Sequence, residues 1–541
     1  MPTSEQAKQP ENQPEEKQSE EKQSEEKQSE KQTSAKLQER LDAPFTARLA
    51  DNIEAIDALL GKSTDILQRD FKLCGSAAYP GVCCYIDGLA DTTVIEAILK
   101  ALIVFGSDLE RDPAQMPTAD EIRTTLLINS GVKACRRMRD GIGGIVSGDT
   151  LVLIQGLDEA MLVSTKGWKD RGVEEPSSEN NVRGPRDGFT ESIRTNTAHV
   201  RRRIRDPQLR IDATVIGTRT QTDVNIAYIQ DVVKEGLVEE VRSRLDRIKV
   251  DAILESGNIE ELIEDSPFSP FNTIQITERP DKVSSAILEG RVAIFIDNTP
   301  VVLIVPTFFW QFIQAPDDYY NRYWVGSFFR CIRYLALIIS LVLPSIYVML
   351  VSFHHEMIPT ALALTIASGR EVVPFPVLVE AIMLELAFEL MREAGLRMPK
   401  PIGQAVSIVG SLIIGQAAVQ AGLVSPFMVI VVAITEISSF AIPSYSSSLA
   451  LRMIRFPLLI ASGFFGLLGF ATVFFAVLLH ALSIRSFGES YMAPASPFRP
   501  SDQRDMLLRM PAWMQNNRPD FAQDKQRMGD QQKPHTPPEG G

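Results

Sequence analysis

Cysteine is scarce in this sequence, and its spacing suits neither disulfide nor metal chemistry. The 541 residues include five cysteines: Cys74, Cys83, Cys84, Cys135 and Cys331. They are too few and too scattered for a disulfide framework. Cys83 and Cys84 are adjacent, which is not the CxxC spacing of zinc and redox sites. We expect small, buried side chains in a protein of a reducing compartment.

Enzyme motifs are also missing. The sequence has no GxxxxGK[ST] phosphate loop, and GIGG at 141–144 lacks the rest of a dinucleotide-binding fingerprint. Asp87 and Asp91 only superficially resemble a metal loop, because their positions suit the capping of a turn and a helix. Of the five histidines, only His199 precedes residue 330. The sequence therefore predicts a protein that is not an enzyme and holds no cofactor or metal.

Positive charge is in deficit, with 55 Lys and Arg against 68 Asp and Glu and a net charge of -13. This balance argues against nucleic acid as a partner. The mean hydropathy of -0.00 resembles that of a soluble protein. That average combines unlike segments, because charge is concentrated before residue 330 and in the C-terminal tail, and the stretch between them is strongly apolar.

Both ends of the chain have the composition of disordered polypeptide. Residues 15–34 repeat EEKQS almost perfectly and contain no aromatic or aliphatic side chain, so they cannot bury a core. The tail at 486–541 is rich in Pro, Gln, Asp and Arg. We therefore predict disordered tails at 1–36 and 486–541, with a weak amphipathic pattern at 506–514.

The soluble half contains an internal duplication of a strand followed by a helix. GVCCYIDGL (81–89) reads as a buried strand, and the helical spacing of DTTVIEAILKAL (91–102) follows it. VNIAYIQDV (224–232) and EGLVEEVRSRL (235–245) repeat this order about 143 residues later. The repetition predicts two subdomains built on one plan.

A pair of predicted hairpins supports the same offset. The segment 148–165 predicts a β-hairpin with its turn near residue 157, and 290–307 predicts another with its turn at Asp297 and Asn298. We therefore predict an α/β region of two duplicated subdomains, at 37–205 and 206–325. The cleft of such a pair suits a ligand or a partner, but a duplicated structural scaffold explains the pattern equally well.

One strongly basic segment, at 183–206, stands out from this acidic background. Its arginines are candidates for an interface between subunits or for contact with lipid headgroups. The candidates are Arg183, Arg186, Arg201, Arg202 and Arg203. Nucleic acid is disfavoured because no aromatic residues are interleaved with the arginines.

From about residue 326 to residue 485 the pattern predicts an α-helical, multi-span membrane domain. Segments 331–353 and 456–484 are long enough to cross a bilayer, whereas 357–367 is too short. We predict four full spans, with 424–444 re-entrant or broken between its prolines. The arginines flanking these segments place the soluble region and both tails in the cytoplasm, although Arg452 and Arg455 would then face outside against the positive-inside rule.

Carboxylates within the apolar segments are the most informative feature of this half. Glu380, Glu385 and Glu389 lie within the apolar stretch 374–391, which contains no Lys or Arg, and Glu436 lies in the proline-bounded segment. Glu385 and Glu389 share a helix face because they are four residues apart. These residues are candidates for an ion path. Hydrogen bonding between helices, or protonation, is the alternative interpretation.

Several long segments resemble one known family. They are RGPRDGFTESIRTNTAHVRRRIRD (183–206), ESGNIEELIEDSPFSPF (255–271), TERPDKVSSAILEGRVAIFIDNTP (277–300), DDYYNRYWVGSFFRCIRY (317–334) and PIGQAVSIVGSLIIGQAAVQAGLVSP (401–426). Together they resemble the A subunits of GerA-type spore germinant receptors, over about residues 45–485. Glu436 departs from the small apolar residue expected at its position.

The resemblance implies a membrane protein of the spore inner membrane that acts with a transporter-like, nutrient-sensing B subunit and a lipoprotein C subunit. It further implies a homo-oligomeric ring with a central pore that releases monovalent cations. A membrane-anchored scaffold that docks partners without conducting ions is the alternative. A secondary transporter is less consistent with the sequence, because the duplication lies in the soluble half.

Overall fold

A computed structural model describes residues 38–527 except 77, 105–117, 128–130, 168–174, 177–178, 180 and 400–414. The repeat tail predicted at 15–34 lies outside the described residues, as do residues 528–541 and most of segment 401–423. The chain divides into two compact units. Unit 1 extends to residue 171 and includes 197–212, and unit 2 contains 172–196 and everything from 213 onward.

Unit 1 is built on a five-stranded antiparallel sheet in which β1, β2, β4, β5 and β3 are neighbours in that order. Its strands are β1 Ile66–Lys72, β2 Pro80–Ile86, β3 Val132–Cys135, β4 Thr150–Ile154 and β5 Ala160–Val163. The helices packed with it are α1 Leu49–Leu60, α2 Thr92–Ile103 and α3 Met138–Val146. A short helical turn at 119–126 precedes β3.

Helices cover both faces of this sheet, which explains why its strands read as continuous apolar runs. On β2, Val82, Cys84 and Ile86 belong to the core cluster that includes residues of α1 and α3. Cys83, between them, belongs to the cluster that includes residues of α2. Successive side chains of a strand point to opposite faces, so a strand covered on both sides needs apolar residues at every position.

A second five-stranded sheet, most of which belongs to unit 2, has β6, β7, β9, β10 and β8 as neighbours in that order. Its strands are β6 Leu209–Ile216, β7 Thr222–Ile229, β8 Gln275–Thr277, β9 Val292–Ile296 and β10 Val302–Val305. The helices of this second copy are α4 Ile193–Arg203, α5 Leu237–Asp246, α6 Ser256–Ile263 and α7 Pro280–Leu288. The two sheets share one strand order, so the predicted duplication is confirmed.

The two copies also share a pattern of hydrogen bonds in a segment that lies outside the repeated sequence motifs. Asn52 accepts a hydrogen bond from the backbone N–H of Thr46 at 2.9 Å and donates one to the Thr46 carbonyl at 2.7 Å. Asn196 does the same with Thr190, at 2.8 and 2.6 Å. The duplicated pattern thus starts at Thr46 and Thr190, upstream of the division predicted at residue 206.

The described cysteines mostly behave as predicted. Cys83, Cys84 and Cys135 are buried and all five cysteines are free, but Cys331 is exposed, so the prediction is wrong for that residue. Burial raises the pKa of the Cys84 thiol to about 12, which keeps it protonated and unreactive. Within the described ranges, no group of three or more His, Cys, Asp or Glu side chains is arranged to hold a metal ion.

After a short helical turn at 317–320, the chain enters its apolar part. The helices here are α8 Tyr323–Phe353, α9 Thr360–Arg370, α10 Val377–Arg397, α11 Pro426–Phe440 and α12 Tyr445–Ser483. By length and composition, α8 and α12 are the two described helices that could cross a membrane. The 11 residues of α9 are too few to span, as predicted.

The last predicted span, 456–484, is interrupted. Gly466 has φ 57° and ψ -135° inside α12, a conformation that only glycine adopts readily, so two helical pieces meet there. The interruption frees backbone groups, and the N–H of Leu467 donates a hydrogen bond to Nε2 of His354 at 3.2 Å. The His354 side chain, at the end of α8, thus accepts a hydrogen bond from the backbone at the interruption.

The prediction of a disordered C-terminal tail is wrong for residues 485–527, which are ordered and pack in unit 2. We call this segment the C-terminal strap. It begins with a hairpin of β11 Arg485–Ser486 and β12 Glu489–Ser490. Ser486 Oγ donates to the Thr273 carbonyl at 2.7 Å and accepts from the Thr307 N–H at 2.9 Å. The strap is therefore joined to the second sheet by buried hydrogen bonds.

A few buried aromatic side chains explain why the polar composition of the strap wrongly predicted disorder. Phe487 lies in the core cluster of the second sheet, with the Arg244 guanidinium 4.0 Å from its ring centre. Tyr491 lies in another core cluster, with residues of α8 and α12. The polar average of the tail conceals these anchors, whose burial offsets the entropy of ordering the segment.

Glu260 on α6 makes the stability of the second subdomain depend on pH. Burial, followed by repulsion from Glu264 and Glu255, raises the pKa of Glu260 to about 7, against about 4.3 in an unfolded chain. Between these values the folded state retains a proton that the unfolded state has released. The free energy of unfolding therefore falls as the pH rises through that window.

We expect Glu260→Gln to raise the free energy of unfolding by about 1–3 kcal/mol at pH values above 7 and to leave it unchanged near pH 4. Denaturant titration of the detergent-solubilised chain at both pH values measures this difference. Glu261→Gln, at an exposed neighbouring position, is the matched control. An equal effect of both substitutions at high pH would contradict the role of burial.

Candidate functional site

The helix α10 carries the three carboxylates that the sequence singled out. Glu380 and Glu385 are buried, whereas 29% of the Glu389 side chain is exposed. Glu385 and Glu389 both pair with arginines of α12, which confirms that they share a helix face. Glu436, on α11, is also buried and meets the same group.

Arg455 of α12 is the centre of this group. Its Nη1 donates to Glu385 Oε2 at 2.5 Å and to Glu436 Oε1 at 2.7 Å. All three side chains are at most 6% exposed. One guanidinium therefore connects α10, α11 and α12 inside the apolar part of the chain.

Two further arginines extend the contacts. Arg392 of α10 forms ion pairs with Glu436 and, at 2.9 Å, with Glu389. Arg452 Nη1 lies 3.3 Å from Glu389 Oε2. The six side chains form an alternating series, which we call the ion-pair chain. In order, its members are Glu385, Arg455, Glu436, Arg392, Glu389 and Arg452.

Glu380 is held separately at the N-terminal end of α10. Its Oε1 lies 2.9 Å from Arg370 Nη2, at the end of α9. Its Oε2 accepts a hydrogen bond from the backbone N–H of Ser425, the N-cap of α11, at 2.9 Å. Glu380 thus connects three helices but does not belong to the ion-pair chain.

The apolar stretch 374–391 has no Lys or Arg of its own, but its carboxylates are paired, because their arginine partners come from elsewhere in the sequence. Arg370, Arg452 and Arg455 belong to other helices, and Arg392 lies one residue beyond the apolar stretch 374–391. One signal was available: Arg452 and Arg455 conflicted with the positive-inside rule. Arginines that contradict a topology prediction are candidates for partners of intramembrane carboxylates.

The basic segment is divided between several environments. Arg201 is buried in unit 1, where Nε donates to Asp65 at 2.8 Å and Nη2 to Ser63 Oγ at 2.9 Å. Arg203 Nη1 donates to the His199 carbonyl, and Arg202 is partly exposed. Arg201 therefore has a structural role inside the fold.

The other two candidates of this segment lie in unit 2. Arg186 forms an exposed ion pair with Glu175 at 3.2 Å, and the Arg183 backbone N–H donates to Asp317 at 3.1 Å. An interface or headgroup contact stays a prediction for Arg183, Arg186, Arg202 and Arg203.

The ion-pair chain is electrically balanced, with three carboxylates and three guanidiniums. In a medium of low polarity each charge depends on its partners, so moving one helix would expose uncompensated charge. Oε1 of Glu385 is buried and has no hydrogen-bond partner among the residues described. The arrangement can therefore lock the helices together, and it also offers a carboxylate oxygen to a water molecule or a cation.

Comparison with known proteins gives one consistent result. The family model for the Bacillus/Clostridium GerA spore germination protein matches residues 54–521. Spore germination protein KA of Bacillus subtilis is 43% identical over 488 residues, which cover 90% of this chain and 89% of that protein. The membrane protein YfkQ of the same organism is 40% identical over 489 residues, covering 90% and 93%. Spore germination protein GerLA of Bacillus cereus is 37% identical over 466 residues, covering 86% and 94%.

Among solved structures, the N-terminal domain of the A subunit of the Bacillus megaterium spore germinant receptor GerK3 is 35% identical to this chain. The match covers 49% of this chain and 98% of that domain, with a TM-score of 0.39.

Proposed function

Because this chain belongs to the GerA family of spore germination proteins, we propose that it acts as the A subunit of a nutrient-responsive germinant receptor. We further propose that its membrane helices form a cation path in a homo-oligomer, and that nutrient binding opens it. The observation that carries this proposal is the ion-pair chain, because charged side chains inside apolar helices usually serve ion movement or gating.

A multi-span membrane domain, with four crossings, is part of the proposal. It is supported by large apolar side chains that are exposed along α8 and α12, a pattern that suits lipid or neighbouring subunits rather than water. They include Phe328, Leu335, Ile338, Phe464, Phe465 and Leu468. We place the protein in the spore inner membrane, with the soluble region in the cytoplasm.

Gating requires that nutrient binding favours the open state over the closed state. In our proposal a transporter-like B subunit senses the nutrient, a lipoprotein C subunit completes the receptor, and this chain supplies the element with two states. The ion-pair chain suits such an element, because its partners lie on three helices and can exchange when one helix moves.

A non-conducting scaffold is the second candidate. It is favoured by one observation: each carboxylate that the sequence singled out has an arginine partner. Such pairing serves equally well to hold helices together. The two functions differ in whether the purified oligomer conducts ions.

Reconstitution of the purified oligomer in a planar bilayer tests the proposal. We expect cation-selective currents, and we expect Glu385→Gln to change the conductance or the K⁺/Na⁺ selectivity severalfold, because Glu385 has a buried carboxylate oxygen without a hydrogen-bond partner among the described residues. Glu393→Gln is the matched control on the same helix, since Glu393 is exposed.

The possible outcomes distinguish the scaffold function, the channel function and the role of the carboxylates in the ion path. Silence of every preparation that contains intact, folded oligomer would support the scaffold. Currents that are identical for the wild-type chain, Glu380→Gln, Glu385→Gln and Glu389→Gln would remove these residues from the ion path and leave the channel function in place.

A further inference from the structure

A cavity of about 350 Å³ lies in unit 2, away from the ion-pair chain. Its walls come from four parts of the chain: Gln275 of β8, α7 with the residues up to Arg291, the segment 308–320 that precedes α8, and the C-terminal strap. This volume is within the range of pockets that hold small organic molecules. The strap contributes residues from Ala493 to Phe521, so the cavity exists only when the strap is in place.

Aromatic side chains form much of the wall. Phe308, Trp310, Tyr319 and Phe521 line the cavity, with the rings of Phe308 and Phe521 5.3 Å apart. Flat aromatic walls with a few polar groups favour a ligand with an apolar or aromatic body. The lining therefore disfavours a small inorganic ion.

Arg291, immediately before β9, has a guanidinium whose N–H groups are only partly used in hydrogen bonds. It is 6% exposed and lines the cavity. Nη2 donates to Glu289 at 2.8 Å, Nη1 reaches Gln275 at 3.4 Å, and Nε has no hydrogen-bond partner among the described residues. A buried N–H without an acceptor is costly, and a ligand oxygen would remove that cost.

The positive charge of Arg291 has one carboxylate, that of Glu289, as its ion-pair partner among the described residues. Glu289 is shared by two guanidiniums, since Arg527 Nη2 also donates to it at 3.0 Å. Burial lowers the pKa of Arg291, as expected for a guanidinium removed from water. A bound anion beside Nε would complete the compensation.

The acidic residues of the wall are already engaged with other groups. Asp505 accepts hydrogen bonds from Tyr319 at 2.6 Å and from Arg330 at 2.9 Å. Asp281 accepts from Arg279 and Tyr320, and Asp502 accepts from Ser501 Oγ and the Asp520 N–H. Asp281 and Asp505 are thus paired with arginines, whereas Asp502 accepts hydrogen bonds from uncharged groups.

We propose that this cavity binds a small organic carboxylate, whose apolar body lies against the aromatic walls and whose oxygen accepts the hydrogen bond offered by Nε of Arg291. The proposal is independent of ion conduction, because it rests on the soluble part of unit 2 and the strap. Since the strap forms one wall, an occupied cavity would stabilise the strap in its docked position.

Benzoate is the probe for a direct test on the full-length chain in detergent. We expect saturable binding of benzoate by ligand-observed NMR, with benzamide and benzylamine, which lack the negative charge, binding at least about tenfold more weakly. We expect Arg291→Lys to weaken benzoate binding by about tenfold or more, because lysine keeps the charge but loses the Nε–H donor.

A second variant keeps the test informative if Arg291→Lys fails to fold. Ser285 lines the cavity on α7 and is exposed, so Ser285→Trp should obstruct the cavity without touching Arg291. Gly143→Trp is the matched control, because Gly143 is an exposed residue at the corresponding position of α3 with open space around it.

The expected pattern is loss of benzoate binding in Ser285→Trp and full binding in Gly143→Trp. The absence of saturable binding to the wild-type chain would overturn the proposal. So would equal binding of benzoate and benzylamine, or unchanged benzoate binding in a folded Ser285→Trp chain.

Discussion

Replacing Arg455 by glutamine should destabilise the apolar helical part of the chain by about 3–5 kcal/mol, because it removes the shared partner of two buried carboxylates. Glu385 would lose its arginine, and Glu436 would retain only Arg392. We expect a lower thermal midpoint in detergent and a smaller yield of monodisperse protein, both measured by fluorescence-detected size-exclusion chromatography over a temperature series.

The matched control is Arg397→Gln on α10. Arg397 forms an ion pair with Glu393 at 2.5 Å, and both side chains are mostly exposed. Exposed pairs contribute about 0–1 kcal/mol, so the control should barely change the thermal midpoint. Equal stability of the Arg455→Gln and Arg397→Gln chains would contradict the assignment of a buried ion-pair chain.

A compensating variant tests the physical cause. Adding Glu385→Gln to Arg455→Gln removes one of the carboxylates that the first change leaves without a partner. We expect this double variant to recover part of the lost stability, because uncompensated charge and not lost packing is the main penalty.

Replacing Tyr491 by alanine should cost about 3–5 kcal/mol, the usual range for a fully buried aromatic side chain. Tyr491 is 1% exposed, and its ring centre lies 6.1 Å from those of Phe271 and Phe309. We expect the strap to detach from the second sheet, which limited proteolysis would reveal as faster cleavage after residue 485.

Phe498→Ala is the control within the same strap. Phe498 is 71% exposed, so its loss should change the free energy of unfolding by less than about 0.5 kcal/mol. If both substitutions left proteolysis of the strap unchanged, the strap would not be anchored through its buried aromatic residues.

Local patterns made much of the soluble fold predictable. The hairpins β4–β5 and β9–β10 appear where continuous apolar runs meet turn residues, and Gly148 and Gly290 both take a left-handed φ just before them. Repetition at one offset then predicted two sheets of the same plan. Such features depend on neighbours in sequence, so periodicity and turn chemistry suffice to find them.

Two groups of contacts escaped prediction because their partners are distant in sequence. Arg455 pairs with Glu385 across 70 residues, and Ser486 meets Thr307 across 179. Apolar patterning says which segments are buried, but not which buried segment lies beside which. For the strap, a polar average over the whole tail concealed the few anchors that order it.

The sequence by itself determined that this chain has a duplicated α/β region, an apolar helical region with internal carboxylates, and membership of the GerA family. The tertiary structure decided that those carboxylates are paired with arginines, that the strap is ordered, and that a cavity lined by Arg291 lies beneath it. The physical reason is that charge compensation and cavity shape arise from side chains brought together only by folding.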